Sequence, residues 1–166
     1  VESIVAEALL AARRAHGLAG VRVAVSAGPT HEPLDPVRYI SNRSSGTMGF
    51  AIAAAARARS AAVTLVAGPV ALGTPWGVTR IDVESAAEMG RAMRDAALDA
   101  EVVIMTAAVA DHRPAAVEGD KIRRPGAGYS LQLVPNPDIL ADLVRERRPG
   151  QVIVGFAAET RDAVAR

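Results

Sequence analysis

The feature that most constrains the fold of this chain is the alternation of short apolar runs with helical patterns. Runs rich in β-branched residues predict strands at 21–28, 62–68, 78–83, 101–108 and 151–159. Between them, apolar residues recur with helical spacing at 50–60, 85–98 and 136–148. This order predicts one α/β domain, a Rossmann-like doubly wound and mostly parallel sheet flanked by helices.

Residues suited to capping mark the start of two of these helices. Ser85 and Glu88 have the spacing of a capping box at the second predicted helix. Asn136 is predicted as the N-cap of the third predicted helix, and Pro137 as its first helical residue.

Two segments, 29–45 and 107–130, are too long to be simple connections between these elements. Both leave from the carboxyl ends of predicted strands. Because open α/β sheets bind their ligands at that edge, the functional site is expected in these two segments.

Composition excludes several classes of function. The formal net charge of +1 gives no electrostatic footprint for nucleic acid or an anionic membrane. No apolar run reaches the length of about 18 residues that a membrane span needs. The absence of cysteine excludes disulfides and thiolate chemistry and fits a cytoplasmic protein. Lys121 is the only lysine among 19 basic residues; it either marks a place where arginine does not serve or is an ordinary solvated surface residue.

Small and hydroxylated residues stand where the first predicted helix begins. Ser44, Ser45 and Gly46 lie beside helix-end N–H groups, which together with the helix dipole favour a bound phosphate. A turn that serves only helix–strand packing stays an alternative interpretation.

The spacing of Gly46, Gly49 and Ala53 resembles the latter part of a dinucleotide fingerprint. In that fingerprint the glycines follow the first strand directly, whereas here 17 residues separate Gly28 from Gly46. The second strand also ends without an acidic residue for a ribose hydroxyl. A nicotinamide-dependent reductase is therefore disfavoured.

Both long segments carry candidate ligand-binding residues. In the first, Arg38, Asn42 and Arg43 either hold a second anionic substrate or belong to a surface loop or dimer contact. In the second, Asp111 either holds a cation between phosphates or caps a turn. Lys121 stands at the root of a basic, Gly- and Pro-rich segment of the kind that closes over a triphosphate.

Four motifs together resemble the phosphopantothenoylcysteine synthetase family, the ligases of coenzyme A biosynthesis. They read AGPTHEPLDPVRYISNRSSGTMG, TAAVADHRP followed by Lys121 and Ile122, NPDIL, and VGFAAET. They occur in the family's order from Val21 to Thr160. The resemblance implies a CTP-dependent ligation of 4′-phosphopantothenate to L-cysteine through an acyl-cytidylate intermediate.

The resemblance also implies roles for individual residues. Asn42 and Lys121 match catalytic positions, Asn42 also a substrate-binding one, and Asp111 an aspartate associated with Mg²⁺. Arg38 is predicted to bind substrate from its charge and its position near Asn42. The nucleotide-binding positions implied for CTP are Gly28, Ser44, Ser45, Gly46, Met105, Thr106, Ala107, Ala108, Asp111, Lys121, Asn136, Pro137, Asp138, Ile139 and Phe156.

The family further implies a homodimer, with segment 29–45 partly at the subunit contact, and a flavin-dependent decarboxylase fused upstream. Residues 1–20 are then a helix and linker from that upstream domain, and residues 21–166 the ligase domain. Family members continue past the GFAAET motif, so this domain is expected to be truncated at its C-terminus. A fragment that binds CTP or dimerises without catalysis stays an alternative.

Overall fold

The protein is described by a computed structural model that covers residues 17–123, 126 and 128–157. In chain order its elements are β1 (Arg22–Ala27), β2 (His31–Pro33), β3 (Tyr39–Ser41), α1 (Thr47–Ala58), β4 (Ala62–Ala67), β5 (Thr79–Asp82), α2 (Ala86–Ala97), β6 (Val102–Met105), β7 (His112–Pro114), β8 (Leu133–Pro135), α3 (Ile139–Arg145) and β9 (Val152–Gly155). The helix suggested by residues 1–16 lies outside the described residues.

Five of the strands form one parallel sheet in the order β5-β4-β1-β6-β9. The strands are connected outward from β1 in both directions, which is the doubly wound arrangement. The predicted Rossmann-like α/β fold is confirmed. No helix in the described part of the chain combines the length and apolar character needed to cross a bilayer.

The core consists of two layers, one on each face of this sheet. Val23 and Val25 of β1 pack in the same cluster as Phe50 of α1. Ala24, between them, packs instead in the cluster that contains Met89 of α2 and residues of α3. Because successive side chains of a strand point to opposite faces, one central strand supplies both layers. The many alanines let the helices approach the sheet closely.

The ends of two helices test the capping predictions. The box of Ser85 and Glu88 at α2 is confirmed, with both hydrogen bonds present. The prediction of Asn136 as N-cap and Pro137 as the first helical residue was wrong. The N-cap is Asp138, whose carboxylate accepts from the N–H of Ala141 at 2.9 Å. Asn136 stands two residues before the cap because its amide groups bind a neighbouring loop.

The two segments predicted as loops each contribute to a short antiparallel hairpin that the sequence did not reveal. β2 pairs with β3, and β7 pairs with β8. The rings of His31 and Tyr39 stack at a centroid distance of 3.7 Å across the first hairpin. Strands of three residues are too short to show a readable alternation, so their periodicity could not predict them.

Candidate functional site

The carboxyl edge of the parallel sheet brings together residues from several of the sequence motifs. Gly28 follows β1, Thr106 follows β6 and Phe156 lies just beyond β9. An isolated parallel bridge joins Pro29 to Ala108 and continues the pairing of β1 and β6 past their ends. This is the place where chain connections diverge from the central strand, and open α/β sheets bind ligands there.

The glycine turn at the start of α1 returns to the end of β1 despite the inserted hairpin. Gly46 is the N-cap of α1 and has a φ of 75°. A Cβ atom on Gly46 would lie 3.4 Å from the N and Cα atoms of Gly28. The 17 residues that separate these glycines in sequence therefore do not separate them in space. The expectation that the insertion disrupts the fingerprint was wrong about the geometry.

Gly49 has the packing role that was considered as an alternative for this turn. A Cβ atom there would lie 2.5 Å from the Cβ of Ala27 and 2.6 Å from Oγ1 of Thr106. A helix can approach two strand ends this closely only without a side chain at the contact. Packing thus explains Gly49, while Gly46 shapes the open helix end.

Ser44 and Ser45 place their hydroxyl groups at that helix end. The N–H of Gly46 donates to Oγ of Ser44 at 3.3 Å, and the N–H of Thr47 donates to Oγ of Ser45 at 3.4 Å. Both distances exceed the usual length of an N–H to oxygen bond, so these N–H groups are weakly held. An anion at the helix end would compete for them, which keeps phosphate binding here a prediction.

Hydrogen bonds to Ser26 of β1 hold the loop after β6. The sequence analysis did not select this residue. Ser26 is fully buried, and its Oγ accepts from the N–H groups of Thr106 and Ala107, each at 3.1 Å. In return, Oγ1 of Thr106 donates to the carbonyl of Ser26. A polar residue within an otherwise apolar strand was the available sequence signal.

The segment after β1 holds the rest of this loop. The N–H of Ala108 donates to the carbonyl of Gly28 at 2.8 Å, and the N–H of Ala110 donates to Oγ1 of Thr30 at 3.0 Å. Thr30 is fully buried. Hydrogen bonds from β1 and the segment after it therefore hold the backbone of residues 106–110 at four N–H groups.

Asn42 lies against the same loop. Its Nδ2 donates to the carbonyl of Val109 at 2.9 Å and, in a longer contact of 3.4 Å, to that of Ala108. The structure thus brings together two predicted elements, the Asn42 carboxamide and the Ala108 backbone. The side chain is exposed and its orientation is set by the loop carbonyls.

Asn136 binds this loop from the other side. Its Nδ2 donates to the carbonyl of Ala110 and its N–H to the carbonyl of Asp111, each at 2.8 Å. Its Oδ1 accepts from Nη1 of Arg113 at 3.1 Å. The amide of Asn136 therefore holds the loop, and a contact of this residue with a nucleotide stays a prediction.

The rest of the NPDIL motif is divided between structure and surface. Pro137 is exposed, the Asp138 carboxylate caps α3, and Ile139 is buried with Met89 and Met93. These contacts explain the motif as the junction between the loop and α3. Whether it also touches a nucleotide stays a prediction.

Asp111 is the one acidic side chain predicted to hold a metal. It is exposed, and its carboxylate forms no ion pair with any residue the structure describes. No group of three metal-ligating side chains occurs in residues 17–123, 126 and 128–157. A single carboxylate fits Mg²⁺ that is held mainly by substrate phosphates and water, as is usual for that ion.

Phe156 and Met105 meet at the outer part of the edge. The N–H of Phe156 donates to the carbonyl of Met105 at 3.1 Å, which extends the pairing of β6 with β9. The Phe156 ring is exposed, whereas Met105 is buried. The predicted aromatic residue is thus available at the correct edge of the sheet.

Arg38 and Lys121 differ in how the structure uses their charges. The guanidinium of Arg38 is ion-paired with Asp35, and its Nη2 donates to the carbonyl of Ile122 at 2.7 Å. Lys121 precedes Ile122 and is exposed. Arg38 therefore has a role within the protein that the sequence analysis did not foresee, and its substrate contact stays a prediction.

Asp35 was also missed, although its sequence context offered a signal. It is buried, and burial alone would raise its pKa. Hydrogen bonds from the Arg38 side chain and from the N–H groups of Val37, Ile122 and Arg38 outweigh that effect and hold its pKa well below the ordinary value. Aspartate at the start of a Pro-containing turn commonly accepts from N–H groups two and three residues on.

Taken together, these contacts define a Rossmann-like α/β domain with a glycine turn at the start of α1 and a hydrogen-bonded loop after β6 at the carboxyl edge of the sheet. The family DFP, described as the DNA/pantothenate metabolism flavoprotein C-terminal domain, matches residues 18–166. The chain belongs to this family.

Several curated relatives share about half of their aligned residues with the chain. The coenzyme A biosynthesis bifunctional protein CoaBC of Escherichia coli K12 is 50% identical over 147 residues, covering 86% of this chain and 36% of its own length. CoaBC of Mycolicibacterium smegmatis is 50% identical over 156 residues, covering 89% and 37%. The chain thus spans little more than a third of the relatives it matches.

Solved structures agree with the fold. The crystal structure of the C-terminal domain of a CoaBC protein has a TM-score of 0.77 at 43% identity, covering 89% of this chain and 69% of that chain. A Cab2 mutant in complex with phosphopantothenate-cysteine has a TM-score of 0.70 at 17% identity, covering 86% and 65%. At that identity the second likeness concerns the fold alone.

Proposed function

We propose that this chain ligates 4′-phosphopantothenate to L-cysteine with CTP, forming 4′-phosphopantothenoylcysteine in coenzyme A biosynthesis and releasing CMP and pyrophosphate. The observation that carries the proposal is the Asn42 carboxamide bound to the carbonyls of Ala108 and Val109 at the carboxyl edge of the sheet. Membership of the family and about 50% identity to CoaBC proteins support it.

The proposed reaction needs no covalent catalyst from the protein. The carboxylate of 4′-phosphopantothenate attacks the α-phosphorus of CTP, the bond to the β-phosphate breaks, and pyrophosphate leaves. The amine of cysteine then attacks the acyl carbon of the acyl-cytidylate, CMP leaves, and the amine loses a proton to solvent. The protein contributes orientation, charge and exclusion of water.

In this proposal the 106–110 loop receives the nucleotide. Its backbone is already held by Ser26, Gly28 and Thr30, so little conformational freedom is lost on binding. The exposed ring of Phe156 offers an apolar face for the base. The open end of α1 at Gly46 offers N–H groups to a phosphate of one of the substrates.

Asn42 is proposed to orient the pantothenate portion and the acyl-cytidylate. Its Nδ2 is held by two loop carbonyls, so the amide plane is fixed before a substrate arrives. A carboxamide is uncharged and therefore does not repel the phosphates nearby. Aspartate at this position would place a negative charge beside carbonyl oxygens and phosphates.

Lys121 and Asp111 are proposed to stabilise the negative charge of the triphosphate, Lys121 directly and Asp111 through Mg²⁺. Lys121 is exposed and carries a compact ammonium group on a flexible stem, which suits a pyrophosphate that must depart. Asp111 would hold Mg²⁺ together with the phosphates. When bound, Mg²⁺ would neutralise charge on the phosphate oxygens.

The test is release of pyrophosphate in the presence of Mg²⁺, with CTP or ATP and with or without 4′-phosphopantothenate and cysteine. The proposal expects release with CTP that requires 4′-phosphopantothenate, and amide product only when cysteine is present. Release that does not depend on 4′-phosphopantothenate would refute carboxylate activation. Binding of CTP without release would favour the alternative of a non-catalytic CTP-binding or dimerisation fragment.

Two variants assign the roles. Lys121→Gln is expected to weaken the use of CTP, and unchanged CTP dependence would contradict its role at the triphosphate. Asn42→Asp is expected to stall amide formation while the acyl-cytidylate accumulates, and normal product formation would contradict that role. Quenching of nicotinamide fluorescence by the protein would instead favour the reductase alternative.

The wider context of the chain is part of the same proposal. A homodimer and an upstream flavin-dependent decarboxylase follow from the family resemblance, and the absence of cysteine fits a cytoplasmic location. The relatives are described as bifunctional proteins, which supports a second activity in the full-length molecule. The oligomeric state is tested by light scattering of the purified chain with and without CTP.

A further inference from the structure

The ion pair between Asp35 and Arg38, in the turn between β2 and β3, holds the backbone next to Lys121. The Asp35 side chain is fully buried, and its Oδ1 accepts from the N–H groups of Val37 and Arg38, each at 2.8 Å. Its Oδ2 accepts from Nε of Arg38 at 2.9 Å and from the N–H of Ile122 at 3.0 Å. The carboxylate thus joins its own turn to a residue 87 positions away.

Arg38 completes the attachment of Ile122. While its guanidinium binds Asp35, its Nη2 donates to the carbonyl of Ile122 at 2.7 Å. Both backbone polar groups of Ile122 are therefore bound by one aspartate–arginine pair. The N–H of Glu118 also donates to the carbonyl of Leu34 at 2.9 Å. The turn between β2 and β3 is therefore hydrogen-bonded to the chain both before and after Lys121.

We infer that Asp35 is a positioning residue that sets the location of Lys121 through the backbone of Ile122. The inference rests on the proposed role of Lys121 at the triphosphate. Hydrogen bonds to a charged acceptor are stronger than neutral ones, so the attachment at Ile122 is strong, whereas the Lys121 side chain beside it is exposed. The cost of ordering a loop when a ligand binds is reduced if the loop is already anchored at its root.

The position of the turn gives the attachment a further consequence. The turn that contains Asp35 and Arg38 connects β2 to β3, and β3 leads directly to Asn42. The same hairpin therefore determines the placement of Asn42 and the root of the Lys121 segment. Loss of the Asp35 carboxylate is expected to affect the Lys121 side of the site, because Asn42 keeps its own bonds to the Ala108 and Val109 carbonyls.

A protease with lysine specificity tests the attachment directly. Lys121 is the only lysine in the sequence, so such a protease cuts this chain at one bond, between Lys121 and Ile122. The structure holds Ile122 by its N–H and its carbonyl, and cleavage requires their release. When opening is fast relative to cutting, the cleavage rate reports how often the segment detaches.

Asp35→Asn is the principal variant and Glu101→Gln its matched control. Glu101 is also a carboxylate that binds a guanidinium and a backbone N–H, both from Arg22, but it precedes β6 at the opposite edge of the sheet. Loss of hydrogen bonds to a charged acceptor is expected to accelerate cleavage of Asp35→Asn by about tenfold or more. Glu101→Gln is expected to be cut at the wild-type rate. Equal rates for Asp35→Asn and wild type would overturn the inference.

A second variant distinguishes loss of the attachment at Ile122 from a general loss of folding. Arg38→Lys keeps a positive charge beside Asp35 but lacks the second nitrogen that reaches the Ile122 carbonyl. It is expected to be cut faster than wild type while unfolding cooperatively in urea. An unchanged cleavage rate for a folded Arg38→Lys would also count against the attachment.

The affinity for CTP then separates a positioning role from a purely structural one. If Asp35 acts through Lys121, Asp35→Asn weakens CTP binding in the wild type but adds no further loss in a Lys121→Gln background. Additive losses would overturn the positioning role, even if the segment is cut faster. Glu101→Gln should leave CTP affinity unchanged in both backgrounds.

These measurements also separate the inference from the proposed function. If the wild-type chain does not bind CTP, the proposed function fails and the inference fails with it. If the wild type binds and uses CTP while Asp35→Asn behaves like Glu101→Gln, the proposed function stands and the inference alone is wrong.

Discussion

Ser26→Ala tests most directly how the 106–110 loop is supported. The hydroxyl of Ser26 is fully buried and is the acceptor for the N–H groups of Thr106 and Ala107, each at 3.1 Å. Its removal leaves the part-buried N–H groups of Thr106 and Ala107 without that acceptor, and a fully buried donor left unsatisfied costs about 1–3 kcal/mol. We expect the free energy of unfolding to fall by about 2–4 kcal/mol, with partial relief from movement of the loop.

The assay is urea denaturation of wild type, Ser26→Ala and the control Ser85→Ala. Ser85 accepts a single backbone N–H, that of Glu88 at 3.3 Å, and loss of such a cap costs about 1 kcal/mol. The midpoints should therefore fall in the order wild type, Ser85→Ala, Ser26→Ala, with similar slopes. A loss for Ser26→Ala no larger than that of Ser85→Ala would refute the view that this hydroxyl supports the loop.

Three further outcomes follow from single contacts. Gly49→Ala places a Cβ 2.6 Å from Oγ1 of Thr106 and should lower the free energy of unfolding by about 1–3 kcal/mol or more, measured in urea. Asp138→Ala removes the cap of α3 and should cost about 1 kcal/mol in the same assay. The pKa of Asp35 is lowered on folding, so its contribution to stability is complete above the ordinary aspartate pKa of about 4 and is lost as the pH falls further. Asp35→Asn should therefore weaken the acid dependence of the urea midpoint.

The central sheet was predictable from sequence because its signals are local and repeated. A strand such as β1, buried on both faces, reads as a nearly continuous apolar run, and the capping box of Ser85 states where α2 begins. The start of α3 was predicted two residues too early. Asn136 is a good N-cap by type, but its amide is used by Ala110, a residue distant in sequence. Competition of this kind cannot be read from a local pattern.

The sequence indicated the residues of the candidate site, but not the hydrogen bonds that hold them. The motifs identified Asn42, Lys121 and the loop after β6, and the structure places Asn42 on that loop. The supports of the site, Ser26 and Asp35, were missed because each acts through partners about 80 positions away. A serine within a strand and an aspartate before a proline are local signals that a polar group is bonded, but they do not identify a partner so distant in sequence.

The inserted hairpin shows how one segment can appear to break a motif and yet build a site. Read along the sequence, its 17 residues separate Gly28 from Gly46 and argue against a fingerprint. In the fold the two glycines are in contact, so the insertion is free to extend along the carboxyl edge. Asp35 in its turn binds the N–H of Ile122, and Asn42, directly after its last strand, donates a hydrogen bond to the loop after β6. Under the proposed function the protein only positions its substrates, and it then needs such links between loops more than it needs a reactive side chain. Substrate positioning therefore accounts both for the absence of a nucleophile from the motifs and for the presence of this hairpin.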